Sequence, residues 1–250
     1  MKVSIITASF NCAKTIEDCI KSIVRQTHLD IEHIIIDGGS KDGTLDVIDK
    51  YRDKIAKVVS EPDRGLYDAM NKGIRLATGD VIGILNSDDI YADETAVESV
   101  VDALSGNTAN SCYGDLLFVD TNDTGRIIRY WKSERFDRDK FRRGWMPPHP
   151  TFFVKKEIYD QYGLFNPDFP VAADYELMLR LLYKYSISTT YIPKVLVKMR
   201  TGGKSRPGII NTAKNMLENY RAWRVNGLDT NLLTFIMKPL SKAKQYLRAK

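Results

Sequence analysis

Four short apolar runs in the first 90 residues each end in a group of side chains that can bind a ligand. If the runs are parallel strands, their carboxyl ends lie at one edge of a sheet, where open α/β sheets bind ligands. One carboxylate after the second run and two after the fourth suit a ligand with hydroxyl groups together with a bound cation. The four groups cover Thr7 to Asn11, Asp37 to Ser40, Glu61 to Gly65 and Asn86 to Asp89.

A predicted helix in the second half of the chain carries another carboxylate, Asp174, in its first turn. The apolar stripe of Met178, Leu181 and Tyr185 puts Asp174 on the inward side of that turn. A first-turn carboxylate also stabilises a helix by itself, by about 0.3–1 kcal/mol. Asp174 is therefore either a reactive group or a partner of the helix dipole, and Glu176 lies on a different face.

His149 stands between Pro148 and Pro150, which restrict its backbone. A loop histidine held in this way can ligate a metal ion or bond to a phosphate oxygen, and the alternative is a rigid structural turn. His28 and His33 lack such a setting and are predicted to be ordinary surface or core residues.

Arg200 begins a stretch of basic residues around two glycines, which predicts a flexible loop. Such a loop can close over a diphosphate as a lid, or it can simply expose solvated charge. Its other members are Gly202, Gly203, Lys204, Ser205 and Arg206.

The elements that must position these groups alternate between strands and helices over the first 110 residues. Alternation of this length favours an α/β fold with a mostly parallel sheet and helices on both faces. The predicted strands cover 3–7, 33–37, 57–60 and 81–85. The predicted helices cover 13–27, a short stretch capped by Thr44, 66–77, and a stretch capped by Asp93.

The pattern changes after residue 110 and predicts a small antiparallel sheet followed by helices. Its strands cover 112–119, 127–131 and 151–154, with one or two more within 187–199. Residues 136–150 show no clear periodicity. Helices are predicted over 172–185, 209–223 and 231–250, the last broken near Pro239.

Composition excludes several classes of protein. The chain has 250 residues, 43% hydrophobic and 28% charged, so it can bury a normal core and is not disordered or collagen-like. Three cysteines are too few for a disulfide framework, which favours a reducing compartment. We find no signal-peptide pattern, no stretch approaching the ~20 apolar residues of a membrane span, and no dinucleotide, Walker A or zinc motif.

The order of three segments resembles the inverting nucleotide-sugar glycosyltransferases of family 2, which have the GT-A fold. These segments are SIITASFN, IIIDGGSKDGT and EPDRGLYDAMNKGIRLATGDVIGILNSDD. The segments PHPTFFVKKEIYDQYGLFNPDF and VAADYELMLRLL are similar to the acceptor half of bacterial polysaccharide-building members. The resemblance covers roughly residues 1–205 and is specific because the motifs occur in this order and spacing.

The resemblance implies donor-binding roles for residues at the matching positions. Thr7 and Ser9 would line the nucleotide pocket, Asp37 would bond the base, most often uracil, and Arg64 would lie near the base or the diphosphate. Arg200 would join the donor site from the predicted lid. The alternatives stay open: Asp37 can belong to a simple turn, and Arg64 to a surface salt bridge.

Asn86, Ser87 and Asp88 stand where the family has its Asp-x-Asp motif. The resemblance implies that Asp88 binds Mn²⁺ or Mg²⁺, while the first two residues of the motif face the ribose. Asp89 is either a second ligand or a brace of the loop, and His149, from its loop setting, is a further candidate ligand. Asparagine at the first position brings no charge, so fewer carboxylates would hold the metal. The alternative is that Asp88 and Asp89 cap the next helix or turn.

Asp174 stands where the family has its general base, although many relatives carry Glu-Asp where this chain has Ala173-Asp174. The implied reaction is a single displacement. Asp174 takes the proton of an acceptor hydroxyl, the oxygen attacks the anomeric carbon, and the nucleoside diphosphate leaves with inversion. The alternative is a catalytically degenerate nucleotide-sugar-binding subunit, which the retention of Asp88 and Asp174 disfavours. A sugar-phosphate nucleotidyltransferase is disfavoured because its Gly-rich, Arg-bearing N-terminal loop is missing.

The charge is unevenly distributed along the chain. Residues 194–250 contain 13 lysines and arginines against 2 acidic residues, whereas the remaining residues are net acidic. We expect a catalytic domain over 1–205, divided into a nucleotide-sugar half (1–110) and an acceptor half (111–205), and a basic helical tail over 206–250. Nucleic acid binding is disfavoured because the body is acidic.

The tail has two open interpretations. Its helices either lie on an anionic membrane surface, which suits a polyprenyl-diphosphate-linked glycan acceptor, or pack against the catalytic domain or a second subunit. We expect a cytoplasmic protein, peripheral at the inner face of the cell membrane, with a homodimer through these helices as one arrangement. The predicted apolar stripe of the first tail helix is Ile209, Ala213, Met216, Leu217, Tyr220 and Trp223.

Overall fold

The computed structural model describes residues 1–106, 109–202 and 209–230, with side chains from residue 214 onward in the last range. The predicted lid residues Lys204, Ser205 and Arg206 and the predicted helix 231–250 lie outside the described residues. Within these ranges no helix has the length and apolar character needed to cross a membrane.

Nine strands form one sheet in the described part of the chain. They are β1 (Val3–Ser9), β2 (Ile31–Asp37), β3 (Lys57–Ser60), β4 (Val81–Ile84), β5 (Ile90–Tyr91), β6 (Ser111–Val119), β7 (Ile127–Trp131), β8 (Phe153–Lys155) and β9 (Thr189–Arg200). Their order across the sheet is β3-β2-β1-β4-β8-β6-β9-β5, and β7 pairs with β6.

The first four strands are parallel and carry the predicted ligand-binding edge. The register aligns Ser9 with Asp37 and Asp37 with Ser60, so the carboxyl ends of β1, β2 and β3 are level. Every residue of β1 is buried, as expected for a central strand covered on both faces. The α/β architecture predicted from strand–helix alternation is confirmed.

The strands of the second half continue the same sheet. β8 pairs antiparallel with both β4 and β6, which joins the two halves, and β7 and β5 also pair antiparallel with their neighbours. β6 and β9 run parallel. The antiparallel strands predicted after residue 110 are therefore present as an extension of the central sheet, with no break between the halves.

Eight α-helices cover the sheet and its ends in the described ranges. They are α1 (Ile16–Val24), α2 (Thr44–Asp49), α3 (Leu66–Leu76), α4 (Ala96–Ser105), α5 (Asp139–Arg142), α6 (Lys156–Tyr162), α7 (Ala173–Met178) and α8 (Ile209–Val225). Short 3₁₀ turns occupy Arg52–Lys54 and His149–Thr151, and a π-helical turn, Leu179–Lys184, continues α7.

The side-chain alternation of β1 divides the core between two layers of helices. Ile6 and Ala8 pack on the face covered by α3, whereas Val3 and Ile5 pack on the face covered by α1 and α4. This is the two-residue period of a strand buried on both faces. Helices on both faces of the sheet were predicted and are confirmed.

Two local predictions were wrong for identifiable reasons. Thr44 is the first residue of α2 and not its cap: Gly43, at φ 89°, takes the N-cap position, and the Thr44 hydroxyl donates to Asp42 instead. Tyr185 was predicted on the buried stripe of the Asp174 helix but is 41% exposed. The π-helical turn widens the helix after Met178 and breaks the 3.6-residue period.

Other boundaries differ at the ends of elements. The strand predicted over 151–154 begins at Phe153, because Thr151 closes the 3₁₀ turn that contains His149. The stretch 187–199 forms one strand that ends at Arg200. The short elements α5, α6 and β5 were not predicted, because each has too few residues to show a period.

Helix α8 packs against α7. Trp223 is fully buried and its indole N–H donates to the Tyr175 hydroxyl at 2.8 Å, and Asn226 donates to the Glu176 carboxylate at 3.0 Å. Of the predicted apolar stripe, Leu217 and Tyr220 are exposed. The stripe therefore packs only in part against the described chain, and membrane contact of the tail stays a prediction.

Candidate active site

Asp37 ties together the carboxyl ends of three strands. Its side chain is fully buried and accepts hydrogen bonds from the hydroxyls of Ser9 (3.1 Å), Ser60 (2.8 Å) and Ser40 (2.5 Å) and from the amides of Gly39 and Ser40. Burial acts to raise the pKa of Asp37, but these hydrogen bonds to the carboxylate outweigh burial and lower it. The Asp37 carboxylate therefore holds together the carboxyl ends of β1, β2 and β3 at the predicted ligand-binding edge.

The other residues predicted from the first strand also have internal partners. Thr7 is fully buried, and its hydroxyl lies 3.1 Å from Nε2 of His33. Ser9 is buried against Asp37. Thr7, Ser9 and Asp37 are all buried at this edge, so their direct contact with a nucleotide stays a prediction. His33 is a core residue, as predicted.

The loop after β3 closes on the loop after β2 and leaves Arg64 exposed. A Cβ atom on Gly38 would lie 2.5 Å from Oδ2 of Asp63, so only glycine allows this approach without a shift. The Arg64 amide donates to Asp68 at 3.1 Å, but its guanidinium has no hydrogen bond or ion pair with any described residue. Arg64 is thus available to an anionic ligand, and a surface salt bridge for it is not formed.

The loop after β4 holds two adjacent carboxylates that lack a full set of partners. Asp89 is 1% exposed: one of its oxygens accepts from the Asn86 amide at 3.3 Å, and Oδ1 is buried without a partner, as is Oδ1 of Asn86. Burial raises the pKa of both Asp88 and Asp89, and in Asp89 the neighbouring Asp88 raises it further. Unpaired buried oxygens of this kind are costly unless a cation or donor is bound.

Arg200 braces this loop from the end of β9. Its guanidinium donates to the carbonyl oxygens of Asp88 (2.9 Å) and Thr121 (3.2 Å) and pairs with Asp18 of α1. It is 6% exposed. The expectation that Arg200 belongs to a flexible loop was wrong, because strand pairing with β6 continues through this residue. Its direct contact with a donor stays a prediction.

Asp174 lies in a three-residue cluster with His149 and Tyr67. Its Oδ2 is 3.1 Å from Nδ1 of His149, and its Oδ1 accepts from the Tyr67 hydroxyl at 3.3 Å. The same hydroxyl lies 3.2 Å from the carbonyl oxygen of Val171. Burial and the adjacent carboxylate raise the pKa of Tyr67 well above its ordinary value, so it remains a donor at neutral pH.

This cluster opens on a small, mainly apolar cavity of about 40 Å³. The cavity lies beside the end of β4, because Ile84, the last residue of that strand, lines it together with Asp174 and His149. Asn86 to Asp89 leave the sheet directly after that strand. The remaining lining residues are Leu66, Tyr67, Met70, Phe152, Tyr159, Phe165, Leu177 and Met178.

Glu176 is committed to structure. It is 2% exposed, pairs with Arg180 through both carboxylate oxygens (2.9 and 3.1 Å) and accepts from Asn226. A carboxylate with these partners is not free to exchange protons with a ligand. Asp174 and not Glu176 is the carboxylate of α7 that lines the cavity described above, and the general-base role of Asp174 stays a prediction.

The residues after β4 have the donor chemistry for a hard divalent cation. Asp88, Asp89 and Asn86 offer oxygen atoms only, which suits Mg²⁺ or Mn²⁺, ions that bind one or two carboxylates together with phosphate oxygens and water. Within the described ranges no group of three His, Cys, Asp or Glu side chains is arranged to hold a metal. His149, predicted as a third ligand, has its Nδ1 on Asp174.

Sequence reasoning missed the partners of the candidate residues. Tyr67, Asp18 and Ser60 were not singled out, and no local pattern marks them, because each contact is set by folding across the sheet. The Asn71 side chain on α3 likewise has a distant partner, exchanging two hydrogen bonds with the main chain of Phe165.

A family comparison decides the class of this site. The sequence profile described as "Glycosyl transferase family 2" matches residues 4–163, which include the Asp37 edge, the Asn86 to Asp89 loop and His149. The chain belongs to glycosyl transferase family 2. The resemblance inferred from the motifs is confirmed, and the chain is a glycosyltransferase with a GT-A-type α/β fold.

Similar proteins agree with this family 2 assignment. A PGL/p-HBAD biosynthesis glycosyltransferase of Mycobacterium bovis is 30% identical over 213 residues, 84% of this chain and 79% of that protein. The crystal structure of S. aureus TarS 1-349 in complex with UDP-GlcNAc matches 100% of this chain and 79% of that chain, at a TM-score of 0.71 and 16% identity. The mannosyltransferase PcManGT from Pyrobaculum calidifontis, in complex with GDP-Man and Mn2+, matches 98% and 69%, at a TM-score of 0.66 and 19% identity.

Proposed function

We propose that this family 2 glycosyltransferase moves a hexosyl residue from a uridine-linked nucleotide sugar to a hydroxyl of a glycan or lipid-linked glycan, with inversion at the anomeric carbon. The observation that carries the proposal is the position of Asp174 beside the end of β4. Asp174 and His149 line a cavity that Ile84, the last residue of β4, also lines. The Asn86 to Asp89 loop, which offers the oxygen ligands for a cation, follows that strand directly.

The proposed donor site uses the hydrogen-bonded carboxyl ends of β1, β2 and β3 and the exposed guanidinium of Arg64 beside them. Asp37 and its serine partners fix the loops after β1, β2 and β3, which pre-organises the backbone that a nucleotide would contact. Arg64 is available to the diphosphate. Binding of UDP-GlcNAc and GDP-Man by structural neighbours supports a nucleotide-sugar donor, and the uridine form is our proposal.

A divalent metal fits the loop after β4. Asp88 and Asp89, with the Asn86 side-chain oxygen, would hold it, and when bound it would offset charge on the leaving diphosphate. The protein's own share is to keep these oxygens in place: Arg200 fixes the main chain at Asp88, and Asn86 holds Asp89. The Mn2+ complex of a structural neighbour supports this assignment.

The acceptor half rests on Asp174. Tyr67 and His149 orient its carboxylate, which removes the proton of the attacking hydroxyl directly or through a partner. One displacement from the face opposite the leaving group inverts the anomeric carbon. We further propose a role in polysaccharide or O-antigen-type assembly, where a lipid-linked acceptor at the inner membrane face would meet the basic tail.

Donor binding and turnover test the proposal. The purified chain is assayed against UDP-, GDP- and dTDP-sugars with and without Mn²⁺, as wild type, as Asp88→Ala and as the control Asp49→Ala, an exposed carboxylate on α2. We expect one uridine-linked sugar to turn over only with metal, Asp88→Ala to abolish turnover, and Asp49→Ala to match wild type. The anomeric configuration of the product, measured by NMR, should be opposite to that of the donor.

Failure to bind any nucleotide sugar under any metal condition would overturn the donor assignment. Metal-dependent binding without transfer to any acceptor or to water would instead favour a catalytically degenerate binding subunit. A product with the donor's anomeric configuration would contradict the single displacement.

A further inference from the structure

We propose that the outer face of α8 binds an anionic lipid bilayer and holds the candidate active site at the membrane surface. The inference deepens the proposed function, because it names the surface that would meet a lipid-linked acceptor, and it rests on that proposal for the acceptor alone. The outer face is defined by the six exposed residues of α8 whose side chains are described: Lys214, Leu217, Tyr220, Arg221, Arg224 and Val225.

These six residues lie on one side of the helix. At 3.6 residues per turn, positions 214, 217, 221 and 224 form one row, and positions 220 and 225 flank it. The opposite side is buried, with Asn219, Ala222 and Trp223 almost inaccessible to solvent, and the helix contacts α7. The helix therefore has a packed side and a side that the described part of the chain leaves uncovered.

The outer face combines three cations with three apolar or aromatic side chains and holds no carboxylate. Leu217, at its centre, is 68% exposed. Glu218, the one acidic residue in the sequence of α8, is turned toward the loop before α7, where it accepts from the amides of residues 171 and 172 at 3.0 and 2.8 Å. Lysines and arginines beside apolar side chains are typical of helices that lie in the interface of an anionic membrane.

The acidic groups near the outer face leave its positive charge available. Asp168 lies beside Arg221, which donates to its carbonyl oxygen at 3.2 Å, and Asp229 follows the helix. Within the described ranges neither carboxylate forms an ion pair with a cation of the outer face. Anionic headgroups can therefore pair with these cations, and each cation near such a surface strengthens binding about fivefold.

Exposed apolar side chains lead from the outer face to the mouth of the candidate active-site cavity. The Val171 amide donates to Glu218, and its carbonyl oxygen accepts from the Tyr67 hydroxyl at 3.2 Å, so Val171 lies between α8 and α3. Leu66 precedes Tyr67 and lines the cavity. Leu217, Val171 and Leu66 are all exposed and mark a route from the outer face to the cavity, which suits an acceptor whose lipid chain stays in the bilayer.

The chemistry of the outer face favours a bilayer over another macromolecule. A symmetric dimer through this face would set the three cations of one copy against those of the other, which is unfavourable. A nucleic acid would pair with the cations but would leave the apolar side chains uncovered. A membrane interface accepts both, and the net acidic residues 1–193 would turn away from its anionic surface.

Vesicle flotation of the full chain tests the proposal. Binding is measured to vesicles of phosphatidylglycerol and phosphatidylcholine in equal parts and to vesicles of phosphatidylcholine alone, at low and at high salt. We expect binding to the anionic vesicles to be at least about tenfold tighter, because three cations contribute to it. High salt should weaken this binding because it screens the charges.

Two variants locate the contact on α8. Lys214→Gln combined with Arg224→Gln should weaken binding to the anionic vesicles about 10- to 30-fold, at about fivefold for each lost cation. Leu217→Ser should weaken it about 5- to 10-fold, because an apolar side chain no longer enters the interface. Matched controls at exposed positions away from α8 should stay within about twofold of wild type: Arg25→Gln combined with Lys57→Gln, and Leu29→Ser, at a leucine that is 95% exposed.

Melting temperatures and nucleotide-sugar dissociation constants show whether each variant is folded. Both should match wild type, because the changed side chains face solvent and lie outside the candidate donor site. Vesicle binding needs no sugar transfer, so it is measured independently of the proposed function.

The inference is overturned if the chain does not bind anionic vesicles, or if the α8 variants bind them as tightly as wild type. An equal loss in the control variants also overturns it, since the contact would then be unspecific charge attraction. The same holds if Leu217→Ser lowers the sedimentation mass of the chain and leaves vesicle binding unchanged, because a second copy would then cover the face. A chain that binds vesicles through α8 but binds no nucleotide sugar would refute the proposed function and leave this inference standing.

Discussion

Arg200, the last residue of β9, donates a 2.9 Å hydrogen bond to the main-chain carbonyl oxygen of Asp88, 112 residues earlier in the chain. Its other nitrogens reach Thr121 and Asp18. One buried guanidinium thus joins α1, the β6–β7 turn and the candidate metal loop, and it fixes the main chain of that loop without contacting the carboxylate oxygens.

Replacing Arg200 tests how strongly the Asn86 to Asp89 loop depends on its hydrogen bonds. Arg200→Lys keeps the charge but cannot reach three partners in one plane, and the unpaired carbonyl groups should cost about 1–3 kcal/mol of unfolding free energy. Urea denaturation measures the loss, and donor binding with Mn²⁺ should weaken alongside it. Arg126→Lys, at an exposed ion pair with Asp120, is the control and should change stability by less than about 0.5 kcal/mol. Equal effects in both variants would contradict the bracing role.

Tyr67 is predicted to position Asp174 and not to bind the donor. Tyr67→Phe removes only the hydroxyl that bonds to Asp174 and Val171. We expect kcat to fall about 3- to 30-fold, the cost of one lost hydrogen bond of about 0.5–1.5 kcal/mol or somewhat more at a charged group, with donor KM unchanged. Steady-state kinetics check this, with Tyr185→Phe, an exposed tyrosine, as control. A rise in donor KM without a fall in kcat would assign Tyr67 to donor binding.

Acid should weaken the fold through Glu32 on β2. Burial acts to raise the pKa of Glu32, but hydrogen bonds from Ser4, Thr78 and Lys2 outweigh it and lower the pKa from 4.5 to about 2. A carboxyl group whose pKa is lower in the folded chain than in the unfolded chain stabilises the fold at pH values above its unfolded pKa. This stabilisation, about 3 kcal/mol for a shift of this size, is lost as the pH falls toward 2.

Unfolding free energies of wild type and Glu32→Gln across pH 2 to 7 measure the Glu32 contribution. The variant should be less stable near neutral pH, and the difference should shrink as pH falls from about 4.5 to about 2. Glu157→Gln, at an exposed position of α6, is the control. A difference that stays constant over this range would show that Glu32 does not titrate with folding.

Gly73 should resist replacement although it lies inside a helix. Alanine normally stabilises a helix interior by about 0.5–1 kcal/mol over glycine, but a Cβ at Gly73 would lie 2.3 Å from Cγ2 of Ile6 on β1. Overpacking of this kind costs about 1–3 kcal/mol, so Gly73→Ala should lower the melting temperature. Gly106→Ala, whose Cβ would have its nearest neighbour 4.0 Å away, is the control. A stabilised Gly73→Ala variant would show that α3 moves away from the sheet easily.

The sequence predicted the parallel strands and most helices because their buried runs and 3.6-residue stripes are local signals. It also predicted the edge at Asp37 and the carboxylates after β4, since residues that follow parallel strands must converge. It did not predict the partners of these groups. Tyr67 contacts Asp174 across 107 residues of the chain, and the Arg200 contacts span 112 and 182 residues. Such contacts exist only after the whole sheet has formed.

Two further errors have physical causes in packing. The Tyr185 stripe failed at the π-helical turn, where the helical period itself changes. The burial of Asn226, just after α8, was not predicted either, because it depends on hydrogen bonds to Glu176 and Ala222. A hydrophobic pattern cannot register a polar side chain whose partners are supplied by another helix.

The docking of α8 has a consequence for any shortened version of the chain. A truncation after residue 205 would keep every residue that the family motifs name, yet it would delete Glu218, which holds the loop before Asp174, and Trp223, which fills the core behind Tyr175. Fusions, expression fragments and deletion libraries should therefore keep the chain at least through Asn226, which donates to Glu176. Helix α8, which carries little of the family signature, thus supports the loop and the helix that position Asp174.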